Sequence, residues 1–336
     1  MRYLQQNPHE EKVTLDVKDK KILSLLARNA RLPQSAMAKY VGLSREAIAY
    51  RIQNYESKGL IQGYRTVIDI TLFGYEAYHV FLQLNRPTLD IEKKLIQTFK
   101  NYPFIRAIIK FSGKYDLELA IVAKSVREFD TFLDTILSDC SLYLQDYKLV
   151  ATTESYVARV FPQSFFAYEE KLSVKKKKKE GIVLDEKDKE LLMLIANHAT
   201  LSYQELSKKM KVSSDTVSYR LKKLEDAGII RSYIPVVNYS ALCYNIYAVL
   251  FRISGLDIKK RMILKGFLTK HPHFLWAVKC VGRYNLLSYL CVQSNEELTR
   301  ALTELRLLLP DTIIDYEILI ANEEYKYTYF PDYGIL

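Results

Sequence analysis

Apolar positions in LDVKDKKILSLLARNA (residues 15–30) fall at Ile22, Leu23, Leu25, Leu26 and Ala27, a spacing that gives a helix one buried face, with Asp16 placed to cap it. The same pattern returns in LDEKDKELLMLIANHA at Leu191, Leu192, Leu194 and Ile195. Short second helices follow around Ser35–Val41 and Tyr203–Met210, the latter opened by Ser202 and Glu205 as a capping box. After the turns VGLS and MKVS, third helices run from about Arg45 to Lys58 and from Ser214 to Ala227, each ending where Gly59 or Gly228 can supply a left-handed cap. Three short helices with a tight turn before the third predict a helix-turn-helix, and IQGYRTVID and IRSYIPVVN read as a wing or hinge strand.

Beyond these heads the period changes. Ala77–Leu84 alternates as a strand, Ile91–Asn101 is an amphipathic helix, and Ile105–Phe111 and Leu117–Ala123 are strands around the turn SGKYD. Helix Val126–Ser138 and strand Leu142–Thr152 complete a β-α-β-β-α-β order, the ferredoxin-like split unit. A shift of 169 positions superposes the chain on itself without a gap, so the same order is expected from Tyr247 to Ala321, with VGRYN as the turn. The fold class is therefore α+β: two tandem units, each a winged helix-turn-helix followed by a ferredoxin-like βαββαβ domain. The expected boundaries are 1–65, 66–162, 184–234 and 235–336, with a lysine-rich linker over 163–183. In that linker Lys175–Lys179 are either a solvated, self-repelling spacer or a phosphate-contacting arm.

Length agrees with several domains, since 336 residues exceed what one core usually fills. The longest apolar stretch, near Ala241–Phe251, is about half of a membrane span, so no membrane partner is expected. Cys140, Cys243, Cys280 and Cys291 form no CxxC pair and show no zinc-ligand spacing with histidine, which predicts reduced thiols, a cytoplasmic compartment, and neither metal nor cofactor. A formal charge of +10 points to a polyanionic partner. Between the two heads most of the excess is in the first copy: residues 14–64 hold nine Lys/Arg against four Asp/Glu, whereas 183–233 hold nine against eight.

The motifs LDxxDxxIL, GLSxxxIxxRIxxxExxGLIxGY, LFGY and SGKYDLEL make the chain resemble the Lrp/AsnC family of transcription factors. The second copy departs from the pattern, with Lys211 for Gly42, Ser232 for Gly63, Cys243 for Gly74 and Asn285 for Asp116. The resemblance implies a DNA-binding head and a C-terminal domain that builds dimers, assembles into homo-oligomers and often senses an amino acid. Two copies in one chain imply an intrachain pseudo-dimer.

On the first third helix, Ile48, Ile52 and Tyr55 share the face expected to pack inward. The opposite face presents Glu46, Ala49, Tyr50, Gln53, Asn54 and Ser57, and its counterpart presents Asp215, Ser218, Tyr219, Lys222 and Lys223. Arg51 and Arg220, identical in both copies, either position the helix on phosphates or pair with a neighbouring carboxylate such as Glu56 or Glu225. Tyr50 and Tyr219 either reach a phosphate or thymine methyl or pack on their own domain. Arg45, Glu46, Ala49 and Gln53 correspond to Ser214, Asp215, Ser218 and Lys222, so two unlike reading helices and an asymmetric operator on double-stranded DNA are expected. The resemblance also assigns effector or subunit contacts to the turns holding Gly113, Tyr115, Asp116 and Gly282, Tyr284, Asn285, where the acidic or amide side chain could hold an ammonium group; a plain β-turn accounts for the same residues.

Two other classes compete. Siroheme decarboxylases share the two-part architecture, and His271, His273, Tyr284 and Asn285 lie near one another in the sequence. A scaffold whose heads no longer bind DNA would assemble with single-copy relatives. The LSxxxIxxRI form of the third helices favours the DNA reader, without enzymatic activity.

Overall fold

The structure, a computed structural model, describes residues 2–5, 12–166 and 183–330; Lys175–Lys179 lie outside the described residues. In the first copy the elements are β1 (Arg2–Tyr3), α1 (Val17–Arg28), α2 (Gln34–Val41), α3 (Arg45–Ser57), β2 (Ile61–Ile68), β3 (Glu76–Leu84), α4 (Leu89–Lys100), β4 (Ile105–Ser112), β5 (Leu117–Ala123), α5 (Val126–Cys140) and β6 (Leu144–Ala158). The second copy supplies α6 (Glu186–Ala196), α7 (Tyr203–Met210), α8 (Ser214–Asp226), β7 (Ile230–Val237), β8 (Asn245–Ile253), α9 (Ile258–Lys270), β9 (Phe274–Gly282), β10 (Leu286–Val292), α10 (Asn295–Leu308) and β11 (Ile313–Tyr327). Among the described residues no helix is long and apolar enough to cross a membrane.

The chain divides into two compact units by kind rather than by copy. Among the described residues, one joins Val13–Tyr75, Phe166, 183–237 and 328–330; the other joins 2–5, Lys12, Glu76–Phe165 and Asn238–Tyr327.

In the strand-rich unit each copy pairs its strands in the ferredoxin order, β4-β5-β3-β6 and β9-β10-β8-β11. These two sheets are not separate layers. β6 pairs with β3 through Leu144–Ala151 and then with β9 through Val150–Ala158; β11 likewise leaves β8 for β4. The result is a closed eight-stranded antiparallel barrel, with β1 taking up β11 where β8 has ended. The last strands run about six residues past the expected ends, because the added length pairs with the opposite copy. Closure leaves no long ladder of unpaired backbone groups.

Helices cover the outside. Leu264 and Leu268 of α9 and Leu298, Leu302 and Leu305 of α10 pack on Val249, Phe251, Phe274, Leu286 and Leu290. In the first copy Tyr78 stacks on Phe129 of α5 at 4.1 Å, and Leu95, Ile96 and Phe99 of α4 are buried. Each such side chain contributes about 1.5–3 kcal/mol by leaving water.

Candidate nucleic-acid interface

Each head is built from its first helix outward. Asp16 and Asp19 form a reciprocal capping box at the start of α1, and Asp185 and Asp188 repeat it at α6. These carboxylates hold the third helix. Arg51 Nη1 donates to Asp16 at 2.9 Å and to Asp19 at 2.5 Å, and Tyr55 donates to Asp19 at 2.5 Å. Arg220 Nη1 meets Asp185 and Asp188 at 2.7 Å; Leu224 stands at the position of Tyr55, and the preceding Lys223 donates to Asp188 through Nζ at 2.7 Å. The Arg220 hydrogen bond holds the Asp185 carboxyl below its ordinary range, and Asp16 is also lowered because hydrogen bonds from Asp19 and Arg51 outweigh its burial.

This geometry corrects two expectations. Glu56 and Glu225 are not the arginine partners; they accept from Tyr64 at 2.6 Å and Tyr233 at 2.7 Å. Arg51, Arg220 and Lys223 are drawn inward to the capping carboxylates, which lie in space beside the third helix but about 35 positions away in sequence.

Two heads form one unit because the strands after the third helices pair with each other. β2 and β7 run antiparallel, Tyr64 opposite Pro235 and Thr66 opposite Tyr233. Around them the contacts are reciprocal: Ala30 N donates to Tyr233 O at 2.8 Å and Ala199 N to Tyr64 O at 3.1 Å. The buried Thr66 hydroxyl donates to Ile195 O at 2.6 Å, and Arg31 Nη1 donates to Ala199 O and Leu201 O, both at 2.8 Å. Asp69 pairs with Arg231; this bond and Thr71 keep its carboxyl below the usual range despite burial.

With Ile48 and Tyr55 buried and Ile52 half-buried, α3 turns Arg45, Glu46, Tyr50 and Gln53 to solvent, leaving Ala49 and Asn54 half-buried. α8 exposes Asp215, Tyr219 and Lys222, with Ser214 and Ser218 half-buried. Tyr50 is 71% exposed and Tyr219 70%, so neither is packed on its own domain. Exposed aromatic rings at equivalent positions are available to a partner.

In the two glycine turns the tyrosine, acid and amide side chains are used inside the fold. Tyr115 and Tyr284 are buried, at 0% and 1% exposure. Burial first, and then Tyr284 beside it, push the Tyr115 phenol up. Asp116 Oδ2 accepts from Leu84 N at 2.6 Å, and Asn285 both accepts from Ile253 N at 2.8 Å and donates to Ile253 O at 2.6 Å. These side chains therefore fasten strand ends rather than stand open to an ammonium group. A Cβ on Gly282 would lie 2.7 Å from Leu149 O, and one on Gly113 3.1 Å from Leu319 Cδ2, so both glycines admit the crossing strand of the opposite copy.

Beside the second turn, Asn285 lines a cavity of about 280 Å3 with Tyr156, Gly255, Leu264, Arg261 and Lys279. Arg261 and Lys279 lie outside every motif; only the repeat offset marks them, because their counterparts Glu92 and Lys110 form an ion pair at 2.6 Å. His271 and His273 precede β9 and Tyr284 and Asn285 follow it, so those four residues occupy opposite ends of one strand and form no cluster.

A model of the AsnC-type helix-turn-helix domain matches residues 15–56, and one described as winged helix-turn-helix DNA-binding matches 184–231. The proline dehydrogenase transcriptional activator of Rhodobacter capsulatus is 30% identical over 149 residues, 43% of this chain and 90% of its own length. The HTH-type transcriptional regulator LrpA of Pyrococcus abyssi is 32% identical over 110 residues, 33% of this chain and 77% of its own. Over the whole length the fold is similar to the siroheme decarboxylase NirDL, with TM-score 0.64, 94% of each chain covered and 14% identity. That likeness is one of fold alone, whereas the two sequence relatives are named as a transcriptional activator and a transcriptional regulator and are matched over less than half of this chain. The chain belongs to the Lrp/AsnC family of transcriptional regulators.

Proposed function

We propose that this regulator binds duplex DNA through both heads, with α3 and α8 reading two unlike half-sites. The observation that carries the reading is the paired-head unit: β2 and β7 join two helix-turn-helix domains whose third helices expose different side chains. Arg45, Glu46, Ala49 and Gln53 on one side, and Ser214, Asp215, Ser218 and Lys222 on the other, are the base-reading candidates; Tyr50 and Tyr219 reach for backbone or methyl groups. Arg51 and Arg220 leave this set, because their guanidinium groups fasten α3 and α8 to the capping carboxylates. Selection from random duplexes tests it: unlike half-sites are expected, and recovery of a perfect palindrome bound by one chain overturns the reading. The cytoplasm is the compartment this function requires.

A small effector would enter at the Asn285 cavity of the second copy. Two cations, Arg261 and Lys279, set among apolar walls suit a ligand carrying a carboxylate, such as an amino acid. At the equivalent place in the first copy the Glu92 carboxylate pairs with Lys110 and takes up the cation a ligand carboxylate would need, so one site per chain is expected. Calorimetry with amino acids should give a stoichiometry of one, lost in R261E, which copies the first-copy pair; absence of binding at millimolar concentrations rejects the effector. The enzyme reading rests on the whole-chain fold likeness, and an unchanged siroheme absorption spectrum on mixing would dismiss it.

A further inference from the structure

The barrel interior carries a polar group that the repeat does not share. His79 on β3 and Glu118 on β5 point inward, with Nδ1 and Oε1 2.5 Å apart; the second carboxylate oxygen accepts from the Tyr289 hydroxyl on β10 of the other copy. Glu118 is 2% exposed. The Tyr289 ring meets Trp276 of β9 edge-on at 5.6 Å, and the Trp276 ring lies 5.6 Å from His79. Burial and the carboxylate push the Tyr289 phenol well above its ordinary pKa, so it remains a hydrogen-bond donor.

The repeat offset places Ala248 opposite His79 in role, Leu287 opposite Glu118, Ala107 opposite Trp276 and Ala120 opposite Tyr289. The register agrees: Trp276 faces Tyr289 across β9 and β10, and Ala107 faces Ala120 across β4 and β5. Each copy therefore presents a large pair where the other presents small or apolar side chains. The first offers an acceptor and two alanines; the second offers a donor and two large rings.

We propose that this set is a pairing key, and that the partner it fits is an unlike copy, so that a first-copy ferredoxin-like half closes a barrel with a second-copy half and not with another of its own kind. Two first-copy halves would enclose two buried carboxylates without the phenol donors, and four alanines would leave a void where the rings belong. Two second-copy halves would bring four large rings together, with two phenols lacking an acceptor. Only the unlike pair satisfies both volume and hydrogen bonding. Loss of one partner from a buried charged hydrogen bond is among the more costly changes in a core.

The test exchanges the key within the full chain. A half-exchanged variant, H79A/A107W/E118L/A120Y, makes both copies second-like; a fully exchanged variant adds A248H/W276A/L287E/Y289A and restores unlike pairing with the roles reversed. The half-exchanged protein should melt about 10 °C or more below the parent, or shift to larger species by light scattering. The fully exchanged protein should recover most of that loss and the parent's mass. Parent-like melting and mass in the half-exchanged protein would overturn the proposal. So would a fully exchanged protein no better than the half-exchanged one, including the case in which neither folds.

Discussion

Arg51 and Arg220 illustrate how a cation on a reading helix can be used inside its own domain. Each spans two carboxylates at the start of another helix, at distances of 2.5–2.9 Å. R51A or R220A should therefore lower thermal stability by about 1–2 kcal/mol while leaving the salt dependence of DNA binding unchanged. A flattened salt slope with an unaltered melting temperature would return these residues to the phosphate-contacting set. His271 gives a second case. Its ring is buried beside Phe267 and Phe274 and faces Glu304 at 3.2 Å, His273 and the Arg159 guanidinium; burial dominates and lowers its pKa from 6.5 to about 4. The unfolded chain then binds the proton more readily, so stability is complete above about pH 6.5 and falls as pH drops toward 4. Melting curves across that window should show the fall, and H271Q should flatten it.

At the scale of elements, local pattern carried most of the information. The apolar spacing of residues 15–30, the Ser202–Glu205 box and the strand Leu117–Ala123 were legible because propensity, capping and periodicity are properties of neighbouring residues. The sequence pattern ends β6 and β11 early because their final residues pair with the opposite copy, and no local signal records a partner more than a hundred positions away. Packing between separate elements, which neighbouring residues do not record, likewise hid the carboxylate partners of Arg51 and the Arg261–Lys279 cavity. The repeat itself reveals strain. Lys211 keeps the left-handed conformation at φ 54°, where the first copy has Gly42 at φ 71°. A lysine there costs about 1 kcal/mol relative to glycine, so K211G should raise the melting temperature by a few degrees. A decrease would mean that the lysine makes a compensating contact.

For the whole molecule, two copies produce one head pair and one barrel, and the copies differ at side chains that face a partner, Glu118 and Leu287 among them. If α3 and α8 set the two half-sites, grafting Ser214, Asp215, Ser218 and Lys222 onto the positions of Arg45, Glu46, Ala49 and Gln53 should turn the preferred operator into a symmetric one. An operator that stays asymmetric after the graft would place the discrimination elsewhere. The closed barrel has a genetic corollary. In an assembly of identical subunits every codon change appears twice, and a residue that suits one side of a symmetric junction must also suit the other. Here Glu118 and Leu287 occupy matching places in one polypeptide, so each can mutate alone, and the two sides are free to drift toward separate duties while inheritance keeps them at a fixed one-to-one ratio.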